Sequence, residues 1–191
     1  MGSKKKQVIG YKYFLGMHLV ICHGPVDSIQ KIIVGDREAW SGNVTASGDI
    51  TIAASELFGG DKKEGGISGT VNVMMGELTQ AKNTYLQSKI QTLIPAFRGV
   101  VSLVLKQCYV CAMSPYPKAW AIKVKRIPAK TWYAAKAEIS GSANPVHVIY
   151  ETLTNKDWGM GIDPALLNDT KFRAAADTCF AEGLGVSMMI S

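Results

Sequence analysis

The side chains best suited to chemistry stand close together near the N-terminus, where the stretch GMHLVICHGP contains His18, Cys22 and His23. Imidazole and thiolate groups bind zinc, and a thiol beside an imidazole can act as a nucleophile. The β-branched residues around them predict a strand, in which His18 and Cys22 share one face about 13 Å apart. Zinc ligands must all lie about 2 Å from the ion. The pattern therefore predicts no metal site, and we expect Cys22 to be a buried, reduced thiol.

A second candidate is the C-x-x-C motif formed by Cys108 and Cys111. Redox and zinc sites place such a motif at a helix N-terminus or in a zinc knuckle, whereas here it lies in a β-branched run. Alternation along a strand would put the two thiols on opposite faces. Only Cys179 follows, and four cysteines in 191 residues are too few for a disulfide framework. We interpret the motif as structural.

The sequence lacks other catalytic patterns. It contains neither G-x-S-x-G nor H-E-x-x-H, and its glycine-rich stretches match no phosphate loop or dinucleotide fingerprint. A nucleophile pair of Cys22 and His147 would require the fold to join them. Four acidic residues near turns lack the paired spacing of glycosidases; they are Asp36, Glu38, Asp49 and Glu56. We expect no enzyme, no catalytic residue, no metal and no cofactor.

Aromatic and basic residues suggest two kinds of binding. At strand spacing we expect the aromatic residues to fill a core or an oligomer interface; they are Tyr11, Tyr13, Phe14, Trp40, Trp120, Trp132, Tyr133 and Trp158. The net charge is +6, but Lys4, Lys5, Lys6 and Lys12 supply four of those charges near the N-terminus. A nucleic-acid site needs basic residues concentrated on a folded face, so we expect none. No apolar run is long enough to span a membrane, and the N-terminus lacks a signal-peptide pattern.

Residue periodicity indicates which elements position these side chains. Alternating or β-branched patterns predict strands over 17–22, 29–34, 69–76, 97–113 and 119–127. The last two are expected to form an antiparallel hairpin through the turn SPYPK. Helical spacing predicts a helix over 78–94. Asn144 as N-cap with Pro145 at the first helical position predicts one over 145–154, and a third over about 169–181 should end at Gly183. The mixture predicts a β-rich α+β fold with barrel-like or sandwich-like antiparallel sheets and about three helices.

Composition also predicts how the chain is organised. Residues 1–7 form a basic tail that we expect to be disordered, and 8–40 with 77–191 form the main domain. The glycine-rich region 41–76 reads as an inserted β-hairpin sub-domain. Because the chain ends inside the strand-like stretch GVSMMIS, we expect a piece of a longer polypeptide.

Four strings occur in one order and resemble a known family. The most specific is NPxxxxYExLTNxxWGxG, which runs from Asn144 to Gly161, and the second is CHGPVD, residues 22–27, followed by GDREAW. The others are IPAFRGVVSLVL and WAIKVKRIP. Together they resemble the N-terminal part of the tail-tip hub proteins of long-tailed bacteriophages, also called host-specificity or central tail-fibre proteins, and the related hub of gene transfer agents. The resemblance covers residues 8–191, and members of the family are much longer.

The resemblance implies a baseplate-hub-like fold and a structural role in the virion tail tip. Such a hub is a homotrimer around the tail axis, assembled in the host bacterial cytoplasm, and it joins distal tail and tape-measure proteins to the receptor-binding tip. The family supplies no catalytic motif for this portion. An alternative hypothesis is a tail-associated carbohydrate- or peptidoglycan-binding module or cell-wall hydrolase, which would use the aromatic residues. A third is nucleic-acid binding through the basic tail.

Overall fold

The structure is a computed structural model that describes residues 10–187. The predicted basic tail, 1–7, and the end of the GVSMMIS stretch lie outside the described residues. The chain forms two compact units, residues 1–125 (unit 1) and 126–191 (unit 2). Strands predominate, they pair antiparallel, and the described part has three α-helices. The predicted β-rich α+β class is confirmed.

Unit 1 contains two antiparallel sheets. Its strands are β1 (Lys12–His23), β2 (Ser28–Val34), β3 (Arg37–Val44), β4 (Gly48–Ala54), β5 (Ile67–Met75), β6 (Val100–Ala112) and β7 (Trp120–Lys125), and its helix is α1 (Thr84–Lys89). Sheet A has the order β1–β6–β5–β4, and sheet B has the order β3–β2–β7. Neither closes into a barrel within residues 10–187.

The two sheets of unit 1 share one hydrophobic core, which makes them sandwich-like. Ile29 and Ile32 of sheet B and Val71 and Leu103 of sheet A are fully buried in it. Each such side chain contributes about 1.5–3 kcal/mol relative to an exposed one. Alternating apolar residues on the strands therefore hold the two sheets together.

The predicted hairpin of 97–113 with 119–127 is wrong. The two strands form, but β6 pairs with β1 and β5, whereas β7 pairs with β2 in the other sheet. β6 is apolar on both faces because Leu103 faces the shared core and Val104 contacts a second cluster with Leu86 of α1. A strand covered on both sides belongs in the middle of a sheet, and the SPYPK segment leads to the other sheet.

The predicted helix over 78–94 is also shorter than expected, because α1 spans only Thr84–Lys89. Asn83 caps it by accepting a hydrogen bond from the Leu86 N–H. The preceding segment is held by Gln80, whose side chain accepts from Gly76 and donates to the carbonyls of the 96–97 segment. Tertiary hydrogen bonds thus outweigh a helical spacing of apolar residues.

Unit 2 contains β8 (Glu138–Ile139), β9 (Ser142–Ala143), α2 (Pro145–Thr154) and α3 (Asp169–Ala181). The predicted helices over 145–154 and 169–181 are confirmed, as is the N-cap of α2 at Asn144. Gly183 follows α3 with φ +71°, the left-handed conformation expected of a C-terminal glycine. The predicted division into a main domain, 8–40 and 77–191, with 41–76 inserted, differs from the two compact units and stays a prediction.

Candidate functional site

The cluster of His18, Cys22 and His23 lies in β1, but a β-bulge changes its geometry. His18 pairs with Val104 and Cys22 with Val101, so a step of four residues along β1 matches a step of three along β6. Because paired residues point to the same face of a sheet, the bulge puts His18 and Cys22 on opposite faces. The expectation that they share a face is wrong, since simple alternation contains no signal for a bulge.

The three side chains have separate surroundings. The His18 ring meets Phe97 edge-on with centroids 4.6 Å apart, and its buried Nε2 has no hydrogen-bond partner in the part of the chain that the structure describes. Burial lowers the pKa of His18. Cys22 is half-buried against the shared core, and His23 is exposed at the strand end. Within residues 10–187 no three His, Cys, Asp or Glu side chains are grouped as metal ligands would be.

The CHGPVD string, residues 22–27, carries the chain from sheet A to sheet B. The Gly24 N–H donates to the Gly99 carbonyl at 2.8 Å, and the Asp27 N–H donates to the Lys125 carbonyl at 2.8 Å. These bonds satisfy backbone groups that leave the strand ladders. The string is a connection between layers.

The backbone of residues 75–76 lies so close to Gly24 that a side chain at this position should destabilise the protein. A Cβ on Gly24 would lie 2.9 Å from both the Gly76 Cα and the Met75 carbonyl oxygen. Because backbone atoms must move to relieve that contact, Gly24→Ala should lower the free energy of unfolding by about 2 kcal/mol in urea titrations. Gly48→Ala is the control, since a Cβ there meets nothing within 4 Å. Equal effects of the two substitutions would contradict the packing argument.

The C-x-x-C thiols also differ from their predicted arrangement. Cys108 pairs with Leu15 and Cys111 with Tyr13, while Val110 is an extra residue in β6. Both thiols consequently face the shared core, and the expectation of opposite faces is wrong. Burial raises the pKa of each, which disfavours the reactive thiolate. The four cysteines form no disulfide.

The remaining histidine is buried in α2. His147 Nδ1 donates to the Ala129 carbonyl at 3.2 Å, and its buried Nε2 has no hydrogen-bond partner within residues 10–187. Burial lowers the pKa of His147, hydrogen bonds with the Ala129 and Pro128 backbone partly oppose this, and the nearby Arg173 charge adds a smaller decrease. Cys22 and His147 belong to different units.

His18, which is half-buried, and His147, which is fully buried, should both make the protein less stable in acid. Above the ordinary pKa of 6.5, each ring is neutral whether the chain is folded or not. As pH falls below that value the unfolded chain binds protons first, so the free energy of unfolding decreases until the lowered folded pKa is passed. Urea unfolding between about pH 7.5 and about pH 5 should show a smaller decrease in His147→Gln than in the unsubstituted protein. Identical pH dependences would contradict the assignment.

Unit 2 contains an aromatic cluster of five rings, which we define as Trp132, Tyr133, His147, Tyr150 and Phe172. The Trp132 indole stacks on Tyr150 with centroids 4.1 Å apart and planes at 12°. It meets His147 at 4.8 Å, Tyr133 at 6.1 Å and Phe172 at 6.3 Å in edge-to-face contacts. Each such pair contributes about 0.5–1.5 kcal/mol beyond burial. The rings contact one another, which is typical of side chains that pack a hydrophobic core.

Polar contacts bind α3 to this cluster. The Arg173 guanidinium carbon lies 4.6 Å from the Tyr133 ring centroid, and its Nε donates to Asp169 at 2.7 Å. The second Asp169 oxygen accepts from Trp132 Nε1 at 2.7 Å. Arg173 and then Trp132 lower the pKa of Asp169. Sequence reasoning missed these residues of α3, although an Asp–Arg pair at i,i+4 beside a Phe is a recognisable helical signal.

Of the other aromatic residues considered from sequence, some pack against the core of unit 1 and others are exposed to solvent. Trp40, Trp120 and Tyr13 pack against the shared core, as expected. Tyr11 and Phe14 are exposed.

The NPxxxxYExLTNxxWGxG string forms the framework around α2. Asn144 is fully buried, and its Oδ1 accepts from the Val146 N–H at 3.0 Å. Its Nδ2 donates to the Lys136 carbonyl at 3.0 Å and to the Ala176 carbonyl at 2.9 Å. One side chain thus begins α2 and ties it to α3 and the segment before β8.

Glu151 of the string anchors the segment that opens unit 2. One carboxylate oxygen accepts from the Arg126 guanidinium, and the other accepts from the Ala129 N–H at 2.6 Å. Arg126 also lies over the Trp158 ring, 5.7 Å from its centroid. Both carboxylate oxygens of this buried acid therefore bind groups within unit 2.

The end of the string shapes the loop after α2. Asn155 Oδ1 accepts from the Trp158 N–H at 3.1 Å. A Cβ on Gly159 would lie 2.4 Å from the Thr152 carbonyl oxygen, and Gly161 has φ +65°. Both glycines are required by backbone geometry. The string encodes local structure throughout.

The acidic residues considered from sequence are dispersed. Asp49 pairs with Lys106 at 2.7 Å and Glu38 with Lys31 at 2.5 Å, both on the surface. Lys106 and Lys31 respectively lower the pKa of these carboxyls. Among the helices of the described residues, none has the length and apolarity that crossing a membrane requires.

Comparison with known proteins adds no assignment. No protein-family model matches the chain, and no curated protein matches it significantly. The likeness to tail-hub proteins therefore remains a prediction from the strings.

Proposed function

We propose that the chain is a structural component of a phage or prophage tail tip, a hub segment that self-associates around the tail axis. In this role it connects the tail tube proteins to the receptor-binding tip. The proposal includes no catalytic step and no cofactor.

The observation that carries the proposal is the use of the NPxxxxYExLTNxxWGxG string. Asn144 caps α2 and donates hydrogen bonds to α3 and to the segment before β8. Glu151 binds Arg126, and Gly159 permits a close backbone contact. A catalytic string would instead keep polar groups free to meet a substrate. Because the residues of this string hold the backbone of unit 2 together, the string supports a structural role.

Exposed apolar side chains in unit 2 supply surface for assembly. Met160 is 68% exposed and Leu166 is 80% exposed, while Ile149 and Trp158 are about half exposed. Contiguous exposed apolar groups favour association with another protein surface, whereas single ones are ordinary. The proposed self-association and tail-protein contacts would use these side chains.

Particle composition tests the function. After induction of the source bacterium, purified particles should contain the protein by mass spectrometry, and gold-labelled antibody should mark one end of the tail in electron microscopy. Detection of the protein only as a free cytosolic species would contradict the proposal. Light scattering should show a trimer of the full-length protein.

A glycan array addresses the carbohydrate-binding alternative. Trp158 is already covered on one side by Arg126, and Trp40 is half-buried against the core. We therefore expect no glycan signal from the protein. A signal lost in Trp158→Ala but kept in Trp132→Phe would favour the alternative instead.

A further inference from the structure

Unit 1 contains a surface cavity that the proposed function does not use. Its volume is about 480 Å³, and it lies between the β2–β3 turn, the loop after β4 and the residue that leads into β7. The lining residues are Asp36, Arg37, Phe58, Gly59, Lys63, Glu64 and Lys118. We propose that this cavity binds an acidic side chain presented by a partner polypeptide. The inference rests on the cavity alone and holds whether or not the chain is a tail protein.

Hydrogen bonds hold the wall of the cavity. Gly60 and Gly65 bond reciprocally through their backbones, the Phe58 N–H donates to the Gly65 carbonyl at 2.9 Å, and the Ala112 N–H donates to the Glu64 carbonyl at 3.0 Å. On the opposite wall, Arg37 donates to the Leu57 carbonyl at 2.5 Å. A loop held by such bonds has less freedom to lose when a ligand binds, which lowers the entropic cost of binding.

The charges of the cavity favour an anion. Three cations face two carboxylates, which leaves one net positive charge. Lys118 pairs with Glu64 at 2.6 Å and lies 4.9 Å from the Phe58 ring centroid. Asp36 is 3.9 Å from Arg37, at the limit of an ion pair, and its side chain is 92% exposed.

Lys63 supplies the unbalanced charge. Its aliphatic stem lies against Gly59, where an added Cβ would be 2.6 Å from the Lys63 Cδ. Among the described residues its ammonium group has no acceptor, although it lines the cavity. An incoming carboxylate would pair with this ammonium beside the Arg37 guanidinium.

The open shape of the cavity favours a polypeptide over a small molecule. Sites for small ligands enclose most of the ligand surface. Here the rim side chains of Arg37 and Glu64 are 56% and 64% exposed, so a free anion would remain largely in water. A side chain held by a larger partner gains additional contacts outside the cavity, whereas one exposed charge pair contributes little by itself.

Amide NMR spectra of the protein with short peptides test the proposal. The probe is acetyl-Leu-Glu-Leu-amide, and the matched control is acetyl-Leu-Gln-Leu-amide, which lacks only the charge. We expect shifts at residues 36–37, 59–64 and 118 with the Glu peptide alone, with a dissociation constant of about 1–10 mM. Shifts should shrink as salt rises. No shifts at about 10 mM, or equal shifts with the Gln peptide, would overturn the proposal.

Two lysine variants locate the site. Lys63→Gln should weaken binding several-fold, whereas Lys62→Gln, a substitution of the adjacent lysine outside the cavity lining, should leave it unchanged. Each variant's own spectrum shows whether it is folded. Equal losses in both variants would overturn the assignment to the cavity. Acetate or phosphate producing the same shifts at the same concentration would overturn the polypeptide as ligand and leave a general anion site.

Discussion

Replacing Trp132 by alanine should lower the free energy of unfolding by about 3–4 kcal/mol. The indole stacks on Tyr150 at 4.1 Å and contacts His147 and Phe172 edge-on. Its removal leaves a void among rings from the segment before β8 and from both helices of unit 2. The surrounding backbone is tied by hydrogen bonds and cannot collapse fully, so the loss exceeds the transfer term alone.

A phenylalanine at the same position separates packing from hydrogen bonding. Trp132→Phe keeps a ring in the stack and loses the 2.7 Å bond from Nε1 to the exposed Asp169. We expect a decrease of about 1–1.5 kcal/mol for this variant. Urea unfolding followed by far-ultraviolet circular dichroism measures both values without relying on tryptophan fluorescence. If Trp132→Phe lowers the free energy of unfolding as much as Trp132→Ala does, the hydrogen bond to Asp169 and not the ring stacking stabilises the cluster.

How much of the fold could be predicted depends on whether a feature is local. The helix beginning at Asn144 has its cap and its first-position proline next to each other in sequence, and it forms as predicted. The helix over 78–94 fails because the side chain of Gln80 bonds to backbone at 96–97, far along the chain. Partners of β6 and β7 could not be predicted either, since strand pairing depends on which faces are covered by other elements.

The candidate site shows the same limit at finer scale. Spacing within β1 argues against three zinc ligands on one strand, and this stays a prediction. The face assignment of Cys22 fails at a bulge. Trp132 and Glu151 meet partners that are distant in sequence and are brought close by tertiary folding. The sequence shows which residue types are present, but it does not show which of them come into contact. Motif residues whose partners lie within a few positions, such as Asn155, are the ones whose role a string can reveal.

Asn144→Ala should lower the free energy of unfolding by about 3 kcal/mol. Loss of an N-cap costs about 1 kcal/mol. The same substitution leaves the Lys136 and Ala176 carbonyls without the amide donor at a fully buried position, and each adds about 1 kcal/mol. Because these carbonyls belong to the segment before β8 and to α3, the change also disconnects α2 from both.

Asn168→Ala is the matched control for this experiment. Asn168 caps α3 by accepting from the Lys171 N–H at 3.1 Å, but it is exposed. Its substitution should cost only the capping contribution of about 1 kcal/mol. Asn144→Asp tests the donor separately, since it keeps the capping oxygen but loses the amide N–H groups. It should therefore remain at least about 2 kcal/mol less stable than the unsubstituted protein. If Asn144→Ala costs no more than Asn168→Ala, Asn144 is a helix cap alone, and the framework role of the NPxxxxYExLTNxxWGxG string loses its central residue.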